Sequence, residues 1–198
     1  VYGYSNPHVD NVTVAEAPET GESLPWSDSF ETAGIPEWTN DNDYPWKEGL
    51  AASYEAPPSA VQDGSSAIYF DDYTYSTGTT ATITSPSLDL TSATAPQLTF
   101  YYADNAATGN TDTVKVVLGD GTVIYTTPAE TTDWELQTVD LTAYVGQSIT
   151  IGFKGTSVYG YSNPHVDNVT VAEAPTGPGA DWDVSTSASD ATISITTT

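Results

Sequence analysis

The sequence predicts an all-β chain, an antiparallel sandwich of two sheets, on three observations. No stretch longer than about ten residues carries helical periodicity. Alternating runs rich in β-branched and aromatic residues recur along the chain, bounded by Gly, Pro, Asn or Asp. Roughly nine to eleven such runs can be counted, enough for two packed sheets without any helix.

The elements follow in order. After a polar linker, Trp26–Glu31 (WSDSFE) reads as the first strand. From Thr32 to Gln62 turn residues dominate, with Trp38, Tyr44 and Trp46 among them. This is expected to be a long structured loop with short strands, its aromatics pinned to the body, and loops of that kind in compact domains are usually functional. Ser66–Phe70 and Thr79–Thr84 are the next strands, and Leu98–Ala103 (LTFYYA) reads as a buried one. Thr113–Leu118 alternates with Lys115 outward, and Gly119-Asp120-Gly121 supplies the positive φ that closes a hairpin into Thr122–Thr127. Trp134–Leu141, Ser148–Lys154 and His165–Ala172 complete the set, with Trp134 and Phe153 expected in the core.

One stretch occurs twice without a single change: VYGYSNPHVDNVTVAEAP stands at Val1–Pro18 and again at Val158–Pro175. A period that long is a whole domain, not a solenoid turn. Residues 1–18 therefore read as the closing strand region of a preceding copy, or as a strand donated to the open edge of a neighbour. Residues 19–23 are a linker, 24–175 a complete domain, and 176–180 (TGPGA) a second linker. Residues 181–198 begin a different β module or add a strand to this one.

Composition narrows the partners. There are 27 acidic residues against three lysines and no arginine, a formal charge of −24. Such a chain repels nucleic acid and anionic membrane, and leaves divalent cations, cationic partners or a solvated surface. There is no cysteine, hence no disulfide and no thiol chemistry. No apolar run approaches the roughly 18 residues of a spanning helix, so direct membrane insertion is not expected.

SFE near the start, the block WELQTVDLTAYVGQSITIGFKG and the closing HVDNVTV together resemble MAM-like domains. The similarity is greater to the bacterial cleaved-adhesin and choice-of-anchor relatives, because eukaryotic members carry cysteines that this chain lacks. The resemblance spans Trp26–Val171 and implies a jelly-roll β-sandwich. It also implies a structural calcium (Ca2+) site joining the first and last strands. Matched residue by residue, the ligands would be Glu31 of SFE and Asp167 of HVDNV, with Asp112 and Asp104 or Asn105 as further ligands. Calcium takes six to eight oxygens, so two carboxylates from opposite ends of the domain would close it like a clip.

Other candidates have simpler explanations. Asn40-Asp41-Asn42-Asp43 lacks the glycine and glutamate of an EF-hand loop, and turn chemistry accounts for it, as it does for Asp71-Asp72. Tyr159, Tyr161 and Tyr44 are the surface aromatics on which a sugar could stack. His8 and His165 are copies of one position and read as structural, and nothing picks out a carboxylate pair, so no enzyme is expected. Asn11 and Asn168 match the glycosylation pattern, but within a strand. The reading is a structural or adhesive repeat module of an extracellular, cell-surface or filament-forming protein. Its partners would be neighbouring copies of itself, with glycans or surface proteins as further partners. The alternative is a carbohydrate-binding module of a secreted protein.

Overall fold

Alternation alone decides which face of each strand meets the interior, and the computed structural model shows where those faces go. The structure describes residues 21–40, 45–105, 113–131, 133–160 and 162–176. The readings for residues 1–18, 181–198, Asp41–Asp43, Tyr44, Asp112 and Tyr161 fall outside them.

The described elements form a jelly-roll-like sandwich of β-strands. The front sheet has the order β11-β8-β14-β5-β4: Glu135–Asp140, Pro96–Ala103, His165–Glu173, Ile68–Phe70 and Trp46–Glu48. The first-strand segment appears as β2 (Trp26–Asp28), which pairs with the second half of β14. The back sheet has the order β10-β9-β13-β6-β3: Val123–Thr126, Thr113–Leu118, Ile151–Thr156, Thr80–Thr84 and Thr39–Asn40. All pairings within these two sheets are antiparallel. A small third sheet joins β1 (Glu22–Ser23), β7 (Leu88–Asp89) and β12 (Ser148–Ile149), with β1 and β7 parallel.

The stretch expected as one strand, Ser148–Lys154, is two. It leaves the small sheet after Ile149 and enters the back sheet at Ile151, whose N–H is held by the Ser85 hydroxyl at 3.0 Å. The Asp-Gly hairpin is as expected: Gly121 has φ +84° and donates to the Leu118 carbonyl at 2.8 Å.

The core lies between the sheets. Phe100 and Phe153 meet edge to face at 5.0 Å, with Trp38 and Trp46 closing over Phe153 from the long loop. Both tryptophans keep their indole N–H bonded, Trp38 to Asp28 at 2.7 Å and Trp46 to the Ala81 carbonyl at 3.1 Å, as burial requires. Gly155 lets the Phe70 ring lie on the backbone of β13, since a Cβ there would come within 2.3 Å of it. Phe153 is fully buried, whereas Trp134 is not core. Its indole stays partly exposed and donates to the Ala60 carbonyl at 2.8 Å. On the outer face of the back sheet Lys115 and Lys154 stand directly opposite one another on β9 and β13.

Candidate functional site

The strand β14 organises the site. Val166, Val169 and Val171 point into the core, which leaves His165 and Asp167 on the opposite face of the front sheet. That face would normally meet water. Here the β4–β5 connection, Gly49–Ala67, is tied down against it, and both side chains are fully buried.

The ties are hydrogen bonds from loop backbone to strand side chains. Ala51 N–H donates to His165 Nε2 at 3.1 Å. Gln62 and Asp63 N–H both donate to Asp167 Oδ2, at 3.0 and 3.2 Å. Glu31 reaches the same loop: its carboxylate accepts from Ser65 N–H, Ser65 Oγ and Ser66 N–H at 2.7–3.1 Å. Gly64 between them has φ +63°, and a Cβ there would come within 2.3 Å of the Glu31 carboxylate. A side chain at Gly64 would be strained and would push the Glu31 carboxylate away from Ser65 and Ser66. The described part of the long loop is thus structured, with Trp38 and Trp46 pinned to the body as expected.

Glu31 and Asp167, from opposite ends of the domain, converge on one loop. Their electrostatics differ. Hydrogen bonds from Ser65, then Ser66, hold the exposed Glu31 carboxyl below its usual range. Burial pushes Asp167 up to about 6 against the pull of the Asp63, Asn168 and Gln62 N–H groups, and the neighbouring Glu31 charge pushes the same way. Neither carboxylate has a lysine partner, and Lys47 is paired with Asp71. Oxygen donors and uncompensated negative charge are the chemistry that a hard cation takes. Among the described residues no group of three or more His, Cys, Asp or Glu side chains converges as ligands, so backbone and amide oxygens would have to complete any shell.

Asp104 does not join this pair. It is fully buried at the end of β8, where burial pushes it up to about 7, with Asp72 and Glu130 the acids it feels. Tyr102 Oη donates to its Oδ2 at 3.4 Å, and the Ser162 and Tyr102 hydroxyls oppose the rise, while Oδ1 has no hydrogen-bond partner of normal geometry among the described residues.

Next to it lies a polar network of which the sequence pointed only to a turn at Asp71-Asp72. Asp72 caps the turn before β14, accepting from Val158 N–H at 2.6 Å, Tyr159 N–H at 3.1 Å and Gly160 N–H. Asn163 accepts from Asp72 and Tyr73 N–H at 2.7 and 3.1 Å and donates to Glu55 at 2.7 Å. Asp71 does form the expected turn, accepting from Thr74 N–H at 3.1 Å. Two tyrosines on the segments it ties together are exposed, Tyr54 beside Glu55 at 67% and Tyr159, held by Asp72, at 63%, and Tyr73 lies edge-on to Tyr54 at 5.5 Å. Asn168 sits at a bulge in β14 with φ 51° and donates its amide to Gln62 Oε1 at 3.2 Å.

No family model and no curated protein sequence matches the chain. Solved structures do. The K1 cleaved adhesin domain of Lys-gingipain from Porphyromonas gingivalis W83 superposes with a TM-score of 0.54 at 18% identity, over 76% of this chain and 98% of that one. The K2 cleaved adhesin domain of Lys-gingipain gives 0.55 at 16% identity, over 76% and 99%. The carbohydrate-binding module TmCBM61, solved with β-1,4-galactotriose, gives 0.54 at 12% identity, over 74% and 94%. The chain shares their β-sandwich fold.

Proposed function

We propose that this chain is a non-catalytic adhesive or structural module of an extracellular surface, with calcium holding its long loop. The observation that carries the reading is the convergence of Glu31 and Asp167 on Gln62–Ser66 with no cationic partner for either among the described residues. Glu31 and Asp167 would hold the ion, and the loop would supply further oxygens. The ion would neutralise the carboxylate pair and offset part of the self-repulsion of a −24 chain. The likeness to cleaved adhesin domains supports the module class.

Thermal melts in calcium and in chelator test it. Calcium should raise the Tm by several degrees, and Glu31→Gln should abolish that rise while leaving the chelated melt close to the parent's. A melt indifferent to calcium would sink the clip.

The exposure of Tyr54 and of Tyr159, each on a segment tied to the buried polar network, favours a second reading, stacking of a sugar ring. The likeness to a carbohydrate-binding module supports it. Binding of a soluble polysaccharide that is lost in Tyr54→Ala and Tyr159→Ala would rank it first.

A further inference from the structure

Every contact that seats Val158–Pro175 is made by residues that the chain possesses twice. Asp72 caps the turn at Val158–Gly160, whose counterparts are Val1–Gly3. Asn163, His165 and Asp167 receive the 49–67 connection and its neighbours, and their counterparts are Asn6, His8 and Asp10. Glu173 accepts from Thr94 and Ala95 N–H at 2.8 and 2.7 Å, and its counterpart is Glu16. The residue at the bulge recurs too: Asn168, which takes φ 51°, has Asn11 as its counterpart in the sequence. The partners Asp72, Ala51, Gln62, Asp63, Thr94 and Ala95 all lie outside both copies.

Connectivity favours the first copy as an occupant of the same place. β2 pairs antiparallel with β14, Trp26 opposite Val171 and Ser27 opposite Thr170. Ser23, Leu24 and Pro25, which lead into β2, line one cleft with Ala172 and Glu173. Asp89 lines it too, and Gly21 packs against Asp89. A chain leaving the position of Glu173 as Glu16 has only to reach Gly21, and the intervening residues can span roughly 17 Å when extended. Its Val14 would then face Trp26, with residues 15–25 as the connection between the two antiparallel segments.

We propose that Val1–Pro18 of the same chain is a second occupant of the β14 position, so that one strand site has two tenants. Because the two segments are identical, the contacts within the site are the same for either. The connections decide which copy sits there. When Val1–Pro18 is in place, Val158–Pro175 is released with its full set of strand side chains. This goes beyond the module reading and does not depend on calcium.

The full-length chain tests it. Val166→Asp with Val169→Asp puts two charges into the core from β14 and spares Val9 and Val12. The variant should keep a single cooperative melt, as should Val9→Asp with Val12→Asp. All four substitutions together should abolish the transition. Loss of the melt in the Val166→Asp, Val169→Asp chain, or its survival in the quadruple variant, overturns the proposal. The absence of native cysteine allows a second readout. In the Val166→Asp, Val169→Asp background, Ser27→Cys with Thr13→Cys should form a disulfide within a monomer. No disulfide, or one that only links two chains, overturns occupancy by the chain's own copy.

Discussion

On one face of β14, Val166, Val169 and Val171 enter the interior between the sheets, each at most 1% exposed. On the other face His165 and Asp167 are just as buried, but under a loop and among hydrogen bonds. The first face is held by apolar area, which has no direction and spreads its loss over many neighbours. The second is held by single named partners, so each loss leaves a particular N–H or oxygen stranded. The comparison explains why one layer can be read from residue types and the other cannot.

Four measurements would break or sharpen that contrast. The largest effect belongs to the apolar layer. Phe153→Ala empties the centre of the aromatic cluster and should cost about 3–5 kcal/mol in a denaturant melt. Next comes Asp72→Asn, which turns one of the two accepting oxygens of the cap into a donor facing an N–H. It should cost about 1–3 kcal/mol, with hydrogen exchange accelerating at Val158–Gly160 before the core strands respond. If Asp72→Asn proved as disruptive as Phe153→Ala, the two layers would be one cooperative unit.

The third concerns pH. Asp104 is raised from 3.8 to about 7, so the folded state holds its proton more tightly than the unfolded chain does. Its contribution to stability is whole below pH 4 and is lost as pH rises through 7, by up to about 1.4 kcal/mol per pH unit. His165 opposes it. Burial pushes His165 from 6.5 down to about 3, so its contribution is whole above 6.5 and lost as pH falls towards 3. Comparing Asp104→Asn with the parent in chelator cancels the histidine, and the parent should lose stability relative to the variant between pH 4 and 7. Equal slopes would mean that Asp104 does not titrate in that window. The smallest effect is expected of Tyr159→Ser, an exposed side chain whose loss should shift stability by no more than about 0.5 kcal/mol.

The same contrast shows how far the sequence could be read. Thr113–Leu118 and Leu98–Phe100 alternate with period two, and their inward residues are core as expected. Ser148–Lys154 read as one strand because the alternation runs unbroken across Thr150, where the backbone changes sheets. Trp134 read as core because a large aromatic beside a strand usually is; here it braces the loop on the outer face. Asp72 read only as a turn residue, and Glu55 and Asn163 gave no signal, since a polar residue becomes a buried cap only once distant segments surround it. Glu31 and Asp167 were singled out only by resemblance to a family. Their spacing alone would not have paired residues so far apart.

Trp26–Asp28 and Val169–Val171 lie side by side and antiparallel, with the leads at Ser23–Pro25 and Ala172–Glu173 sharing one cleft. Tension applied through those two leads would load the β2–β14 pairs one at a time, opening them like a zip instead of shearing them together. Once the β1–β7 pairs and the pairs of Ala172 and Glu173 with β8 have given way, this seam would open, and Glu31, in the turn beyond β2, would be the next latch in the path of the force.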